Sequence, residues 1–199
     1  TFPWEKLTAL FQSADLVVGN LEGAVGKNRE VSPGETQSPV FAIDSSAIQL
    51  LGRAGFNIIT TENNHSTDQG KNGKKNTINV LQNHHLTPVY SGNSPQFFTV
   101  KDTVIALVSL NTVLCRDSTR NQLPSVEIRQ KLRLAKSLAK IVVVSIHWGS
   151  ELLDWPSMEQ REVARWLIKN GADIIIGSHP HVIQKPELID GKPVFFSLG

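Results

Sequence analysis

Four short apolar runs, rich in β-branched residues and almost free of polar alternation, constrain the fold more than any other feature of this sequence. They are Leu16–Val18, Ile58–Ile59, Ile141–Ile146 and Ile174–Ile176, and a fifth run, Val104–Leu110, resembles them. Runs of this kind are typical of strands that are covered on both faces. Because helical patterns lie between them, the sequence predicts an α/β protein.

Local signals locate the helices. Asp44–Ala54 begins with an N-cap residue and is followed by a glycine stop. Pro156–Asn170 opens with a proline and carries a capping-box pair, Ser157 and Gln160. Lys71–His85 is amphipathic, and the opening residues TFPWEKLTALFQS are also predicted to be helical.

Composition excludes several classes of protein. The chain of 199 residues has a formal net charge of only +2 and contains no run of basic residues, which argues against nucleic-acid binding. Cys115 is the only cysteine, so an internal disulfide and a cysteine-cluster zinc site are excluded. The turn-rich stretch Gly23–Pro39 is predicted to be a long surface loop.

Polar side chains follow the buried runs at the point where each strand is expected to end. Asn20 and Glu22 follow the first run, and His147 follows the third. The other two clusters are Glu62, Asn63, Asn64 and His65 after the second run, and His179 and His181 after the fourth. Because the carboxyl ends of parallel strands form one rim, these side chains are expected to converge there.

The converging residue types are those of a metal site. Imidazole suits Zn, Fe or Mn, whereas carboxylate and amide oxygens suit Mn or Mg. In the segment His179-Pro180-His181, the proline restricts the loop and lowers the entropy lost in placing the two imidazoles. Each cluster taken alone also fits a simpler role, such as a turn at Asn63–His65 or a solvent-facing Glu22. The metal prediction therefore depends on the joint pattern.

Five segments together resemble one known family. They are DLVVGNLEG at Asp15–Gly23, ENNHSTDQG at Glu62–Gly70, SIHWGSE at Ser145–Glu151, IIIGSHPHVIQ from residue 174, and the terminal FFSLG. In order and spacing they are similar to the CapA family of poly-γ-glutamate capsule biosynthesis proteins. The resemblance implies a fold like that of calcineurin-like metallophosphoesterases, a layered α-β-β-α sandwich of mixed sheets, and a single domain over residues 1–199.

The resemblance also implies a role for each candidate residue. Glu22 would stand where a bridging carboxylate sits, and His65 would assist the leaving group without binding metal. The other implied ligands are Asn64, His147, His179 and His181, with His181 facing a second metal. Asp68 and Glu151 are implied as residues that orient the histidines. The expected cofactors are one or two divalent ions, Mn, Fe or Zn, and the implied reaction is metal-assisted hydrolysis of a phosphoester or related bond.

The chain departs from the family pattern at both ends. Nothing before Asp15 supplies the Asp-x-His motif of the phosphoesterases or the Gly-Asp motif of CapA-like proteins, and the family continues with Asn after the point where Gly199 ends this chain. We therefore expect a chain truncated at both ends. In such a chain the metal on the His181 side would be poorly held.

Three functions follow from the resemblance and from the residues. The first is a metal-dependent hydrolase outside the membrane or anchored at the cell surface, although no anchor is apparent in the sequence. The second is a non-enzymatic accessory protein that binds an anionic small molecule, the polyglutamate polymer or membrane-bound synthase components. The third is a fold whose histidines serve only loop hydrogen bonds.

Overall fold

The apolar runs form strands in two compact units. The computed structural model describes residues 3–27, 39–115, 117 and 119–199. Unit 1 comprises Thr1–Pro88 and Cys115–Thr119, and unit 2 comprises Val89–Leu114 and Arg120–Gly199. The prediction that residues 1–199 form one domain stays a prediction.

The described residues of unit 1 form three helices and small sheets. Its helices are α1 Thr8–Gln12, α2 Ser45–Ala54 and α3 Gly70–Asn83. Its strands are β1 Val18–Asn20, β2 Ala24–Val25, β3 Ala42–Ile43, β4 Ile58–Thr60 and β5 Thr87–Val89. One sheet has the order β1-β4-β5, with β1 parallel to β4, and β2 pairs in parallel with β3.

The core of unit 1 is a cluster of aliphatic side chains from α2, α3, β2, β4 and the turn before β5. It contains Val25, Ile48, Leu51, Ile59, Leu81 and Leu86. The predicted ends of α2 are confirmed, because Asp44 Oδ1 accepts the amide of Ser46 at 2.8 Å and Gly55 closes the helix at φ 108°. The left-handed backbone there favours a residue without a Cβ atom.

Three predictions for unit 1 are wrong in part. Of the predicted opening helix only Thr8–Gln12 is helical, and the residues from 3 to 7 form turns. The first strand is Val18–Asn20 rather than Leu16–Val18, since its ladder with β4 begins at the pair Val18 and Ile58. The predicted loop Gly23–Pro39 contains strand β2, and its residues 28–38 lie outside the described part of the chain.

Unit 2 is organised around a six-stranded mixed sheet. The strands of unit 2, of which six form this sheet, are β6 Gln96–Val100, β7 Thr103–Asn111, β8 Ile141–His147, β9 Ile174–Ser178, β10 Ile183–Gln184, β11 Glu187–Ile189, β12 Lys192–Phe195 and β13 Ser197–Leu198. The sheet order is β11-β12-β9-β8-β7-β6, in which the four central strands are parallel and the two edges antiparallel. Strands β10 and β13 form a separate antiparallel pair.

Helices α4 Val126–Leu138 and α5 Met158–Lys169 supply the rest of the unit 2 core. Buried Ile128, Leu132 and Ala135 of α4 and Ala164 and Leu167 of α5 share one cluster with the central strands. The predicted capping box of α5 is confirmed, because Ser157 and Gln160 each bond the other's backbone amide. Helix α4 was not predicted.

Candidate functional site

The central strands of unit 2 bring two histidines side by side at their carboxyl ends. His147 ends β8, and its register partner on β9 is Ser178, which directly precedes His179. The rings of His147 and His179 have centroids 4.7 Å apart, and the two residues are 1% and 7% exposed. The Nδ1 atom of His147 lies 2.9 Å from Ser178 Oγ, so this hydroxyl orients the ring.

The turn after β9 holds two histidines in an unusual backbone conformation. His179 has φ 99° and His181 has φ 55°, values that L side chains rarely adopt. Each such residue costs roughly 1–3 kcal/mol, and such strain clusters at ligand-binding positions. The backbone carbonyl between them, on Pro180, accepts the amide of Leu152 at 2.8 Å. The loop after β8 therefore stabilises the strained turn after β9.

The same two loops bring a carboxylate to the histidines. One ligand atom from each of Glu151, His179 and His181 lies within 4.8 Å of the others, with His179 buried and the other two exposed. Two imidazole nitrogens and a carboxylate oxygen are a donor set that suits Zn, Fe or Mn. The residues of unit 2 therefore fit a divalent metal ion, and Glu151, predicted to orient histidines, lies among the ligand atoms themselves.

A buried aromatic pair lies behind these histidines. Trp148 is 2% exposed, stacks on Phe196 with centroids 5.7 Å apart, and donates its indole N–H to the Phe196 carbonyl at 2.9 Å. A Cβ atom on Gly177 would overlap both that carbonyl oxygen and Trp148 Nε1. Only glycine therefore fits on β9 at this position, two residues before the first histidine of the turn.

In unit 1, His65 lies in a defined hydrogen-bond network. The Nδ1 atom of His65 lies 2.8 Å from Asp68 Oδ2, and the same oxygen accepts the amide of Phe41 at 2.7 Å. The ring of Phe41 also covers His65, with centroids 4.2 Å apart. His65 and Asp68 are both buried, at 8% and 2% exposure. This arrangement orients the imidazole through Nδ1, as expected when Nε2 performs the chemistry.

Asn63 connects the loop of His65 to the end of β1. Its Nδ2 atom donates to Asn20 Oδ1 at 3.1 Å and to the Leu21 carbonyl at 2.8 Å. The segment that carries Glu22 is therefore attached to the segment that carries Asn64. Both residues are half-buried. The predicted ligands Glu22 and Asn64 thus belong to adjoining segments of unit 1.

Cys115, the single cysteine, contacts the loop that carries Asn63 and His65. Cys115 is buried, and its thiol donates to the Asn63 carbonyl at 3.4 Å. Burial raises the pKa of the Cys115 thiol, although hydrogen bonds from Thr119 and Ser66 partly oppose that effect. A thiol with a raised pKa is a poor nucleophile, so Cys115 has a packing role.

Within each unit the structure gathers the predicted residues. Unit 2 collects His147, His179, His181 and Glu151, and unit 1 pairs His65 with Asp68. Residue-level reasoning placed Asn63 in a polar cluster at the strand ends, but it missed Phe41, Trp148 and Phe196 as supporting residues. Trp148, Gly177, Asn63 and Phe196 were visible as members of the quoted motifs, whereas Phe41 lies outside them and carried no signal.

Comparison with known proteins identifies the family of the chain. The chain belongs to the family of bacterial capsule synthesis proteins PGA_cap, which matches residues 1–199. It is 30% identical over 210 residues to the PGA biosynthesis protein CapA of Bacillus subtilis strain 168, covering 98% of this chain and 55% of that protein. It is 28% identical to the capsule biosynthesis protein CapA of Bacillus anthracis, covering 100% of this chain and 53% of that protein. The chain therefore spans about half the length of these relatives.

Two solved structures share the fold. A crystal structure of a novel phosphatase from Mycoplasma pneumoniae matches with a TM-score of 0.64 at 16% identity, covering 98% of this chain and 66% of that one. A hypothetical protein from Thermus thermophilus matches with a TM-score of 0.61 at 15% identity, covering 98% of this chain and 69% of that one. These matches confirm the predicted α/β class with mixed sheets. None of the helices in the described ranges has the length and apolar character of a membrane span.

Proposed function

We propose that this chain carries a metal-dependent hydrolase of a phosphoester or related bond that serves capsule synthesis. The observation that carries the proposal is the Glu151, His179 and His181 group in unit 2, whose ligand atoms lie within 4.8 Å of one another. The two histidines of this group lie on a strained turn. Its support from other proteins is a shared fold with a phosphatase and membership of a capsule synthesis family.

Each residue has a defined task in this proposal. His179, His181 and Glu151 would hold a divalent ion, with His147 as a further ligand oriented by Ser178. The ion, when bound, supplies Lewis-acid chemistry and positive charge for a phosphoryl group. Glu22 and Asn64 are the ligands proposed from unit 1 by family resemblance.

His65 is the proposed proton donor. Its Nδ1 atom is engaged by Asp68, so the proton passed to a leaving oxygen would come from Nε2 of the protonated ring. The carboxylate of Asp68 stabilises that protonated form and fixes the orientation of the ring. Burial of both residues strengthens the interaction by excluding water.

A second function is favoured by the names of the relatives, which concern PGA and capsule biosynthesis. In this alternative the same residues would bind an anionic polyglutamate chain or contact membrane-bound synthase components at the cell surface without hydrolysing anything. Carboxylates, like phosphates, are ligands for a cation held by histidines.

An experiment that measures both bound metal and turnover distinguishes the two functions. The wild-type protein, soaked in Mn, Fe or Zn, is analysed for bound metal and assayed on generic phosphomonoesters and phosphodiesters. We expect His179→Ala to lose both metal and turnover, while His84→Ala, a change of an exposed histidine beyond α3, retains both. Bound metal without turnover on either substrate would favour the accessory role, and no bound metal would overturn the hydrolase.

A further inference from the structure

Two buried glutamine side chains of unit 2, Gln160 and Gln184, form a relay of hydrogen bonds. Gln160 lies in the first turn of α5 at 3% exposure, and Gln184 ends β10 at 1% exposure. Gln160 Nε2 donates to Gln184 Oε1 at 3.4 Å, and Gln184 Nε2 donates to the Leu153 carbonyl at 2.9 Å. Gln160 Oε1 accepts the amide of Ser157 at 2.9 Å. Each side-chain amide therefore both donates and accepts away from solvent.

The relay joins the two segments that carry the proposed metal ligands. The carbonyl that accepts from Gln184 lies two residues after Glu151, and Gln184 itself lies three residues after His181. A further bond between the same segments runs from the Leu152 amide to the Pro180 carbonyl at 2.8 Å. Two hydrogen bonds therefore hold the loop after β8 against the turn after β9.

The loop after β8 depends on such support because packing does not fix its carboxylate. Glu151 is exposed, so its position is set mainly by the backbone that carries it. The next residue, Leu152, has φ 59°, in the left-handed region that L side chains rarely adopt. Gln160 also lies against the start of the loop, since a Cβ atom on Gly149 would be 2.7 Å from its Nε2 atom. The buried amides thus contact this loop both before and after Glu151.

We propose that Gln160 and Gln184 are positioning residues that place the Glu151 carboxylate beside the imidazoles of His179 and His181. The inference rests on the proposed function, because it takes these three side chains as metal ligands. Residues that orient the ligands of a metal typically change its affinity by about 10- to 100-fold when they are replaced. The carboxylate favours Mn, whereas the imidazoles suit Zn as well. The two amides therefore influence which ion the group prefers.

The test is a double-mutant cycle on metal affinity, measured by competition titration with the whole chain. Gln184→Met removes both side-chain hydrogen bonds at similar volume, and Glu151→Gln removes the carboxylate. Mn affinity should fall at least about tenfold in Gln184→Met, and the double variant should bind Mn no more weakly than Glu151→Gln alone. Zn affinity should fall less than Mn affinity in Gln184→Met, because both imidazoles remain.

A control at the other end of the sheet separates positioning from general stability. Asp173 directly precedes β9, and its Oδ2 atom accepts the amide of Val142 in β8 at 2.9 Å. Asp173→Asn should therefore lower resistance to urea while Mn affinity stays at the wild-type value. Should Gln184→Met fail to fold, Gln160→Met removes the other amide of the relay and is combined with Glu151→Gln in the same cycle.

Wild-type Mn affinity in Gln184→Met would overturn the inference and leave the proposed metal site intact. Losses that multiply in the double variant, or an equal loss for Mn and Zn, would also overturn it, because the amides would then act on stability rather than through Glu151. A wild-type protein that binds none of Mn, Fe and Zn would overturn the proposed hydrolase and this inference together. A loss of Mn affinity that disappears in the Glu151→Gln background would support it.

Discussion

The Oδ2 atom of Asp68 lies 2.8 Å from Nδ1 of His65 and accepts the amide of Phe41 as well. One carboxylate oxygen thus attaches the histidine to a residue that is 27 positions earlier in the chain than Asp68. Because Asp68 is 2% exposed, neither bond competes strongly with water. The orientation of His65 therefore depends on a residue that is itself shielded from solvent.

This relationship predicts that Asp68→Asn reduces turnover without loss of metal. The neutral amide cannot stabilise a protonated imidazole, and a fall of about 10- to 100-fold is expected from disturbed orientation. His65→Ala should cost more, on the order of 10²–10⁴-fold, because the acid itself is removed. The measurement is kcat on a phosphoester with metal content as the second readout. Asp102→Asn, an exposed control, should be unchanged, and full activity in Asp68→Asn would contradict the assigned role.

A second prediction concerns Glu151. If its carboxylate is a ligand, Glu151→Gln should weaken metal affinity by at least about tenfold, since even residues that only orient ligands have effects of this size. A metal-competition titration checks the change. Glu162→Gln alters an exposed carboxylate of α5 and should bind metal normally. Unchanged affinity in Glu151→Gln would remove this residue from the ligand set.

A third prediction concerns the packing behind the histidines. In Gly177→Ala the new methyl would overlap the Phe196 carbonyl oxygen and the Trp148 indole, so overpacking should cost about 1–3 kcal/mol or more of unfolding free energy. Gly52→Ala in α2 is the contrast, because the nearest atom is 3.9 Å away and alanine is the better helix former. Urea unfolding distinguishes the two. An unchanged free energy of unfolding in Gly177→Ala would show that the strand can move away from Trp148.

A fourth prediction concerns pH. Burial would raise the pKa of Asp173, but hydrogen bonds from Lys136 and Lys192 and from the Val142 amide outweigh it and lower that pKa. A lowered folded-state pKa contributes stability above the unfolded pKa, and this contribution is lost as pH falls through the folded pKa. Asp173→Asn should therefore cost about 1 kcal/mol at neutral pH, allowing for the exposed lysines.

The difference in stability between the wild type and Asp173→Asn should shrink as the pH is lowered, because the wild-type carboxyl then becomes neutral too. Thermal unfolding across a pH series provides the measurement. Asp154→Asn changes an exposed carboxylate and should follow the wild type throughout. A difference in stability that stays constant at all pH values would show that Asp173→Asn acts through the shape of the side chain rather than through its charge.

The sequence predicted those elements whose signals are local. The N-cap at Asp44, the capping box of Ser157 with Gln160, and the isoleucine run of β9 each concern residues within a few positions of one another. The polar clusters after β4, β8 and β9 were also placed correctly in sequence. For these features the hydrogen bonding of the backbone follows from nearby residue types.

Other features depend on contacts between distant residues. The position of β1 is set by its ladder with β4, so local hydropathy placed that strand two residues early. The stacking of Trp148 on Phe196 joins residues 48 positions apart, and Phe41 reaches His65 only after folding. Helix α4 did carry a signal, since Ile128, Leu132 and Ala135 have helical spacing after Ser125, but its many charged residues obscure it.

The pairing of His147 with Ser178 across β8 and β9 has one more consequence. A shift of one residue between these strands would turn alternate side chains to the opposite face and separate the hydroxyl from its imidazole. The distance between His147 and the start of the His179 turn is thus encoded in a ladder of backbone hydrogen bonds, which no single side chain controls.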